Sequence, residues 1–117
     1  MQRGEVWEID LPSPPGGAGR EQSGRRPALV IQAAFDPANP MSVIAPFTSN
    51  QSAARFPNTI TIAPSSANGL TTVSILMLFH LRALDSKRFI RRLGSLSSAE
   101  LAAVDGLLRP LLGLTQP

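Results

Sequence analysis

The sequence predicts a mainly β fold closed by one C-terminal helix: five or six short antiparallel strands in a small twisted sheet or barrel, with the helix packed on it. Three observations lead there. Short alternating or apolar segments recur from Glu5 to Leu84, separated by Pro, Gly, Asn and Ser. A three-to-four spacing of apolar residues appears only near the end, at Leu101, Val104, Leu108 and Leu111. The length of 117 residues, 43% of them hydrophobic, suits one domain over 1–117 with one modest core.

The elements follow in chain order. From Glu5 to Leu11 the side chains alternate, with Trp7, Ile9 and Leu11 on one face and Glu8 and Asp10 on the other, a half-buried strand. Pro12 to Gly19 breaks regular structure, so residues 12–25 read as a flexible loop between strands. Pro27 to Ala33 is a continuous apolar run, as in a strand buried on both faces. Met41 to Phe47 is another, and Pro46 in it marks an edge position or a strand end. Asn58 to Ile62 alternates with Ile60 and Ile62 inward, Asn68-Gly69 is a turn signal, and Thr71 to Leu78 reads as a further strand. A short strand to Leu84 precedes one helical turn around Asp85 to Arg88. Ser97 and Glu100 form a capping box for a helix over 97–112, which Pro110 should kink or end early.

Composition narrows the chemistry. There is no cysteine, which excludes disulfides and thiolate metal sites. His80 is the single histidine, and the acids show no ligand spacing, so neither a transition-metal site nor a Ser-His-Asp triad is expected, nor any cofactor. The start lacks the apolar core of a signal peptide, and Val73 to Phe79 is too short to span a bilayer, so a cytoplasmic protein is expected. The net charge is +3, and all but one of the basic residues are arginine. They gather at Arg20, Arg25 and Arg26, then at Arg82, Lys87, Arg88, Arg91 and Arg92, a pattern that favours a polyanionic partner.

One stretch concentrates this chemistry. Gly19 to Arg26 is a polar loop carrying Glu21, Gln22 and three guanidinium groups, and it runs directly into the apolar segment from Pro27. Arginine presents a planar fork of donors suited to phosphate oxygens. A second polar group, Thr48-Ser49-Asn50, also sits at a strand end, where a small barrel brings strand ends together. Arginine, hydroxyl and carboxylate without a metal suit attack of an RNA 2′-hydroxyl on its neighbouring phosphate. The substrate supplies the nucleophile. The protein positions it, stabilises charge on the phosphorane oxygens and moves protons.

The order of these residues resembles a known family. Arg3-Gly4-Glu5-Val6-Trp7, then Glu21-Gln22, Arg25-Arg26-Pro27 with its apolar strand, Ala45-Pro46-Phe47-Thr48-Ser49, Gly69-Leu70 and Leu81 to Arg88 together look like a MazF/PemK-type toxin of a bacterial toxin–antitoxin pair. The likeness covers nearly the whole chain in collinear order. It implies an SH3-like barrel of the CcdB/MazF type, a homodimer, and metal-independent, sequence-specific cleavage of single-stranded RNA to 2′,3′-cyclic phosphate and 5′-hydroxyl ends. It also implies inhibition by a cognate antitoxin whose acidic, disordered tail fills the RNA groove.

Carried onto this sequence, the resemblance makes Arg26 the stabiliser of phosphorane charge, Thr48 a hydrogen-bond donor to the scissile phosphate, and Glu21 an aid to proton transfer or to the orientation of Arg26. Gln22 orders the loop, and Arg20, Arg25, Ser49, Asn50, His80 and Arg82 are RNA contacts. Two positions depart from the family pattern. Arg20 stands where Gly-Ser-Glu-Gln has serine, and Phe79-His80 stands where Asp-Gln is usual. Met77 and Phe79 occupy the places of an acid/base pair assigned in one branch of the family, so that version of the mechanism does not operate here. His80 is either a substitute proton carrier or a packing or dimer-interface residue. The alternative function is a non-cleaving toxin or nucleic-acid-binding module of the same fold. One such relative, a gyrase poison, relies on a terminal tryptophan motif that this chain lacks.

Overall fold

The strands form because their apolar residues can be buried on two sides of a strongly bent sheet. The computed structural model describes residues 1–12, 24–32 and 36–114. Among them are seven strands: β1 (Glu5–Leu11), β2 (Gly24–Val30), β3 (Met41–Thr48), β4 (Thr59–Ile62), β5 (Ser74–Met77), β6 (Arg82–Asp85) and β7 (Phe89–Ser95). Helix α1 (Ser98–Leu112) follows. Five neighbour pairs give the order β4-β5-β3-β2-β1-β7, and β6 pairs with β3. All the pairings are antiparallel.

Strand β3 is the pivot. Its first half, Met41 to Ile44, pairs with β6, and its last two residues, Phe47 and Thr48, pair with β5. Pro46 is buried at the switch between them, so the expectation of an edge or terminal position is corrected. Proline is tolerated inside this central strand because that side of the ladder has no partner there needing its N–H. On the other side Ala28 lies opposite Pro46.

Other boundaries moved for local reasons. β2 begins at Gly24, ahead of the expected Pro27, so Arg25 and Arg26 stand on a rigid strand rather than in the loop. It ends at Val30 because the Gln32 side chain accepts the Val43 N–H at 2.9 Å in place of a backbone carbonyl. β5 is shorter than the expected Thr71–Leu78, since Thr71, Thr72 and Val73 are exposed and lie outside any ladder. Strand β7 is not legible in the sequence. Its two adjacent arginines and Gly94 hide the period of two, and its pairing with β1 shifts register between Val6 and Trp7 and between Glu8 and Ile9.

Three members of the second arginine cluster, Arg91 and Arg92 on β7 and Arg88 in the turn before it, pair with acids of β1. Arg91 pairs with Glu8 (3.0 Å), Arg92 with Glu5 (3.3 Å), and Arg88 with Asp10 (3.8 Å). These cross-strand pairs fasten an edge strand to the acids of β1. Burial raises the Glu5 pKa, but hydrogen bonds from the Trp7 indole and the Gln2 backbone, with the Arg92 charge, outweigh it and hold the carboxyl below its ordinary value. A lowered folded-state pKa gives stability that is present at neutral pH and lost as pH falls through that pKa. Glu5→Gln cannot titrate, so the gap in urea midpoint between wild type and this variant should narrow from about pH 6 to about pH 3. A gap constant with pH would contradict this.

The core lies between the sheet and α1. Val6, Leu29, Phe47, Leu76 and Leu78 meet Val104 and Leu108 of the helix, while Leu101 and Leu111 pack at its margin. A smaller cluster of Ile9, Leu11, Ala28, Ile44 and Leu84, flanked by Trp7 and Phe89, fills the other side. The capping box is formed: Ser97 Oγ accepts from the Glu100 N–H at 3.1 Å, and Glu100 Oε1 accepts from the Ser97 N–H at 2.9 Å. Pro110 does not stop the helix, which continues to Leu112 and ends on Gly113 in the left-handed conformation. Arg3 joins helix to sheet, donating to the Ile31 carbonyl at 2.9 Å and pairing with Asp105.

Closure at the far end depends on two glycines. Gly69, with φ of 70°, follows the buried Asn68, whose Oδ1 accepts from the Ser65 and Leu70 N–H groups. Here the chain runs against β7, and the Ser95 N–H donates to the Ala67 carbonyl at 2.9 Å. A Cβ on Gly69 would lie 2.1 Å from the Leu93 carbonyl oxygen, and one on Gly94 would lie 2.2 Å from that of Ala67. The Asn68-Gly69 turn legible in the sequence is thus one half of a backbone contact that needs a glycine on each side.

Candidate functional site

The two predicted strand ends meet at one groove. β2 and β3 pair as far as Ala28 opposite Pro46, and beyond that pair the Arg26 Nη1 donates to the carbonyl of Phe47, the residue before Thr48, at 3.3 Å. Thr48 in turn pairs with Ile75. The row opens into a groove of about 330 Å³. Arg25, Arg26 and Pro27 form one wall, Thr48 and Ser49 line it beside Phe47, and Leu70, Thr71, Thr72 and Ser74 complete it. The groove therefore sets cationic groups against a hydroxyl-rich wall, a lining suited to an anionic ligand.

Each side chain has a local reason for its place. Arg26 is partly buried on β2 and its Nη1 donates to the Phe47 carbonyl at 3.3 Å. That bond ties the guanidinium to the residue preceding Thr48. Burial lowers the Arg26 pKa from its ordinary value, yet a guanidinium remains charged at neutral pH. Its partly desolvated position makes it a stronger partner for negative charge than a fully hydrated arginine. Thr48 is partly buried, and its Oγ1 accepts the Asn50 N–H at 3.2 Å. An accepting hydroxyl oxygen still has its own O–H to donate.

The other predicted residues fall into three groups. Arg25 and Ser49 are exposed and line the same groove as Arg26 and Thr48. Asn50, His80 and Arg82 do not line it. Asn50 Oδ1 accepts from Ser52 Oγ at 2.7 Å and from the Ser52 N–H at 3.1 Å, capping a 3-10 turn over Gln51–Arg55. His80 is partly buried in a second 3-10 turn, Leu78–His80, with its ring 4.6 Å from that of Phe79. Phe79 also meets Phe56 at 5.5 Å, and the Arg55 guanidinium lies 4.6 Å from the Phe56 ring centre. Arg82 is partly buried on β6, in register with Ile44. Arg20, Glu21 and Gln22 lie outside the described residues.

Sequence reasoning missed the wall formed by Leu70, Thr71, Thr72 and Ser74. The available signal was the Asn68-Gly69 turn followed by two exposed threonines, which are more readily a loop lining a cleft than the start of a buried strand. Among the described residues no cluster of three or more histidines or acids is placed to hold a metal ion. Among them, too, no helix is long and apolar enough to cross a membrane.

Comparison with known proteins places the whole fold in a family. Residues 2–112 match the family model described as PemK-like, MazF-like toxin of type II toxin-antitoxin system. Endoribonuclease MazF of Staphylococcus epidermidis is 34% identical over 97% of this chain and 92% of its own length. Endoribonuclease MazF9 of Mycobacterium tuberculosis is 30% identical over 97% of this chain and 98% of its own. The crystal structure of MazF from Deinococcus radiodurans superposes with a TM-score of 0.77 at 30% identity, covering 97% of both chains. The MazE-MazF structure from the same organism superposes with a TM-score of 0.70 at 30% identity, covering 98% of this chain and 97% of that one.

Proposed function

The chain belongs to the PemK-like, MazF-like toxins of type II toxin–antitoxin systems, and from that premise we propose that the groove between Arg26 and Thr48 is where it cleaves RNA. The protein is the toxin of its pair and an endoribonuclease. The observation that supports the assignment of the site is the bond from the Arg26 guanidinium to the Phe47 carbonyl, in a groove that Arg26 and Thr48 both line.

The substrate is single-stranded RNA, which can lay its phosphates along the arginine wall while its bases stay unpaired. The 2′-oxygen of one nucleotide attacks the adjacent phosphorus and the bond to the 5′-oxygen breaks. The products are a 2′,3′-cyclic phosphate and a 5′-hydroxyl. Arg26 donates to a non-bridging oxygen as charge accumulates there, and Thr48 donates to another. Arg25 and Ser49 hold the flanking backbone. The 2′-hydroxyl proton leaves to a base and the 5′-oxygen gains one, and Glu21 is the carboxylate assigned to this proton traffic. A homodimer, a cognate antitoxin that occupies the same groove through acidic side chains, and a cytoplasmic location complete the reading. The match between a cationic groove and an acidic peptide supports the antitoxin assignment.

Thr48 gives the direct test. Thr48→Ser keeps the hydroxyl and should retain cleavage within about 10-fold, whereas Thr48→Ala should lose roughly 10²-fold in kcat with an unchanged melting temperature. Expressed in bacteria without an antitoxin, wild type should arrest growth and Thr48→Ala should not. Equal cleavage by both variants would remove Thr48 from the site.

A further inference from the structure

Beyond Thr48 and Ile75 the ladder between β3 and β5 stops, and both chains leave the sheet at the groove mouth. One side chain spans the gap. Gln51 is exposed, and its Nε2 donates to the Ser49 carbonyl at 3.1 Å and to the Val73 carbonyl at 2.9 Å. A primary amide has two N–H donors, and both are used here on backbone carbonyls. Ser49 lines the groove, and Val73 sits between the lining residues Thr72 and Ser74.

The neighbouring bonds are local. Asn50 N–H reaches back to Thr48, Asn50 Oδ1 serves Ser52, and Ser74 Oγ donates to the Thr72 carbonyl at 3.0 Å. Each joins residues two apart and fixes one wall by itself. Gln51 joins residues 22 apart and fixes one wall against the other.

We propose that Gln51 is a positioning residue for RNA cleavage, setting the distance between the Thr48–Ser49 edge and the Thr72–Ser74 edge so that the Thr48 hydroxyl meets the scissile phosphate. The inference rests on the assignment of cleavage to this groove. Gln51 acts through Thr48 and needs no contact with substrate. In-line attack depends steeply on geometry, and a displacement of about 1 Å can cost roughly 10²-fold in rate. Removing an exposed amide leaves the fold intact but lets the Thr48–Asn50 edge drift.

The test compares wild type, Thr48→Ala, Gln51→Met and Gln51→Glu on one single-stranded RNA. Methionine keeps the length without donors, and glutamate places an acceptor-only group against two carbonyl oxygens. Gln51→Met should lower single-turnover kcat about 10-fold and Gln51→Glu further, with KM within about 2-fold and the melting temperature unchanged. Amide exchange at Asn50, whose N–H bonds Thr48, should quicken in both. Cleavage by Thr48→Ala at the wild-type rate would bring down the groove assignment itself. Cleavage by wild type with kcat unchanged in both Gln51 variants would overturn the positioning role alone. A rise in KM with kcat unchanged would also overturn it, since that marks a direct RNA contact.

Discussion

Arg26→Ala loses cleavage by about 10²–10³-fold, in kcat rather than in KM, while the protein stays folded. The direction follows from where the charge develops. The ground-state phosphodiester carries one negative charge, and the phosphorane-like transition state carries more. A guanidinium fixed beside the reacting phosphate therefore binds the transition state more tightly than the substrate. Arg26 is fixed by β2 and by its bond to the Phe47 carbonyl. Arg26→Lys keeps the charge but loses the planar fork, and recovers only part of the rate. Arg25→Ala is the useful contrast. Arg25 is exposed at the rim of the groove, so its loss weakens RNA binding and the salt dependence of KM while sparing kcat. Single-turnover kinetics at two salt concentrations separate these outcomes. Equal loss of kcat in both variants would show that the two arginines share one role.

Gly94→Ala is expected to cost about 3 kcal/mol in stability, because a methyl group there would meet the Ala67 carbonyl oxygen at 2.2 Å and the Asn68 carbonyl carbon at 2.7 Å. The colliding atoms are backbone, so no side chain can turn aside to relieve the contact. Either β7 or the turn at Asn68-Gly69 must shift. The second movement carries Leu70, Thr71 and Thr72 with it, and these line the groove. The variant should therefore cleave RNA poorly even well below its melting point, besides unfolding earlier in urea. Gly106→Ala is the control: a Cβ there meets nothing within 4 Å, and alanine favours the helix by about 1 kcal/mol. Urea melts of the two variants, read beside their cleavage rates, check the account. A Gly94→Ala protein as stable as wild type would contradict the close packing of the two backbones.

The parts of the fold that were legible are those in which one local rule acts alone. The capping box at Ser97 and Glu100 formed as its spacing required. The alternation of Trp7, Ile9 and Leu11 placed β1. Arg26 and Thr48 were legible as polar residues near strand ends, although the sequence did not contain the pairing that brings them to one groove. What stayed hidden depends on pairing between distant strands. Proline lacks an N–H, so Pro46 points to an edge position or a strand end; inside β3 it is harmless because β6 and β5 divide that strand between them. Strand β7 was hidden because bulges and adjacent arginines removed its period. Arg91 and Arg92, expected as part of an anion surface, pair instead with Glu8 and Glu5, and Arg88 of the preceding turn pairs with Asp10. The groove wall from Leu70 to Ser74 was hidden for the same reason: contacts between distant segments hold it, those of Gly69 with Leu93 and of Gly94 with Ala67 and Asn68 among them. Gln51 illustrates the limit most plainly, since both of its partners are backbone carbonyls and nothing in the side-chain pattern names them.

The chemistry assigned to the Arg26–Thr48 groove is tested most directly by the ends it leaves on RNA. Purified protein is incubated with a single-stranded RNA in the presence of EDTA, alongside the same RNA carrying a 2′-deoxy nucleotide at the cleaved position. Attack by the 2′-oxygen predicts a 2′,3′-cyclic phosphate and a 5′-hydroxyl from the first RNA, and no cleavage of the second at that position. Products bearing a 5′-phosphate and a 3′-hydroxyl, or cleavage of the deoxy-substituted bond, would contradict the account.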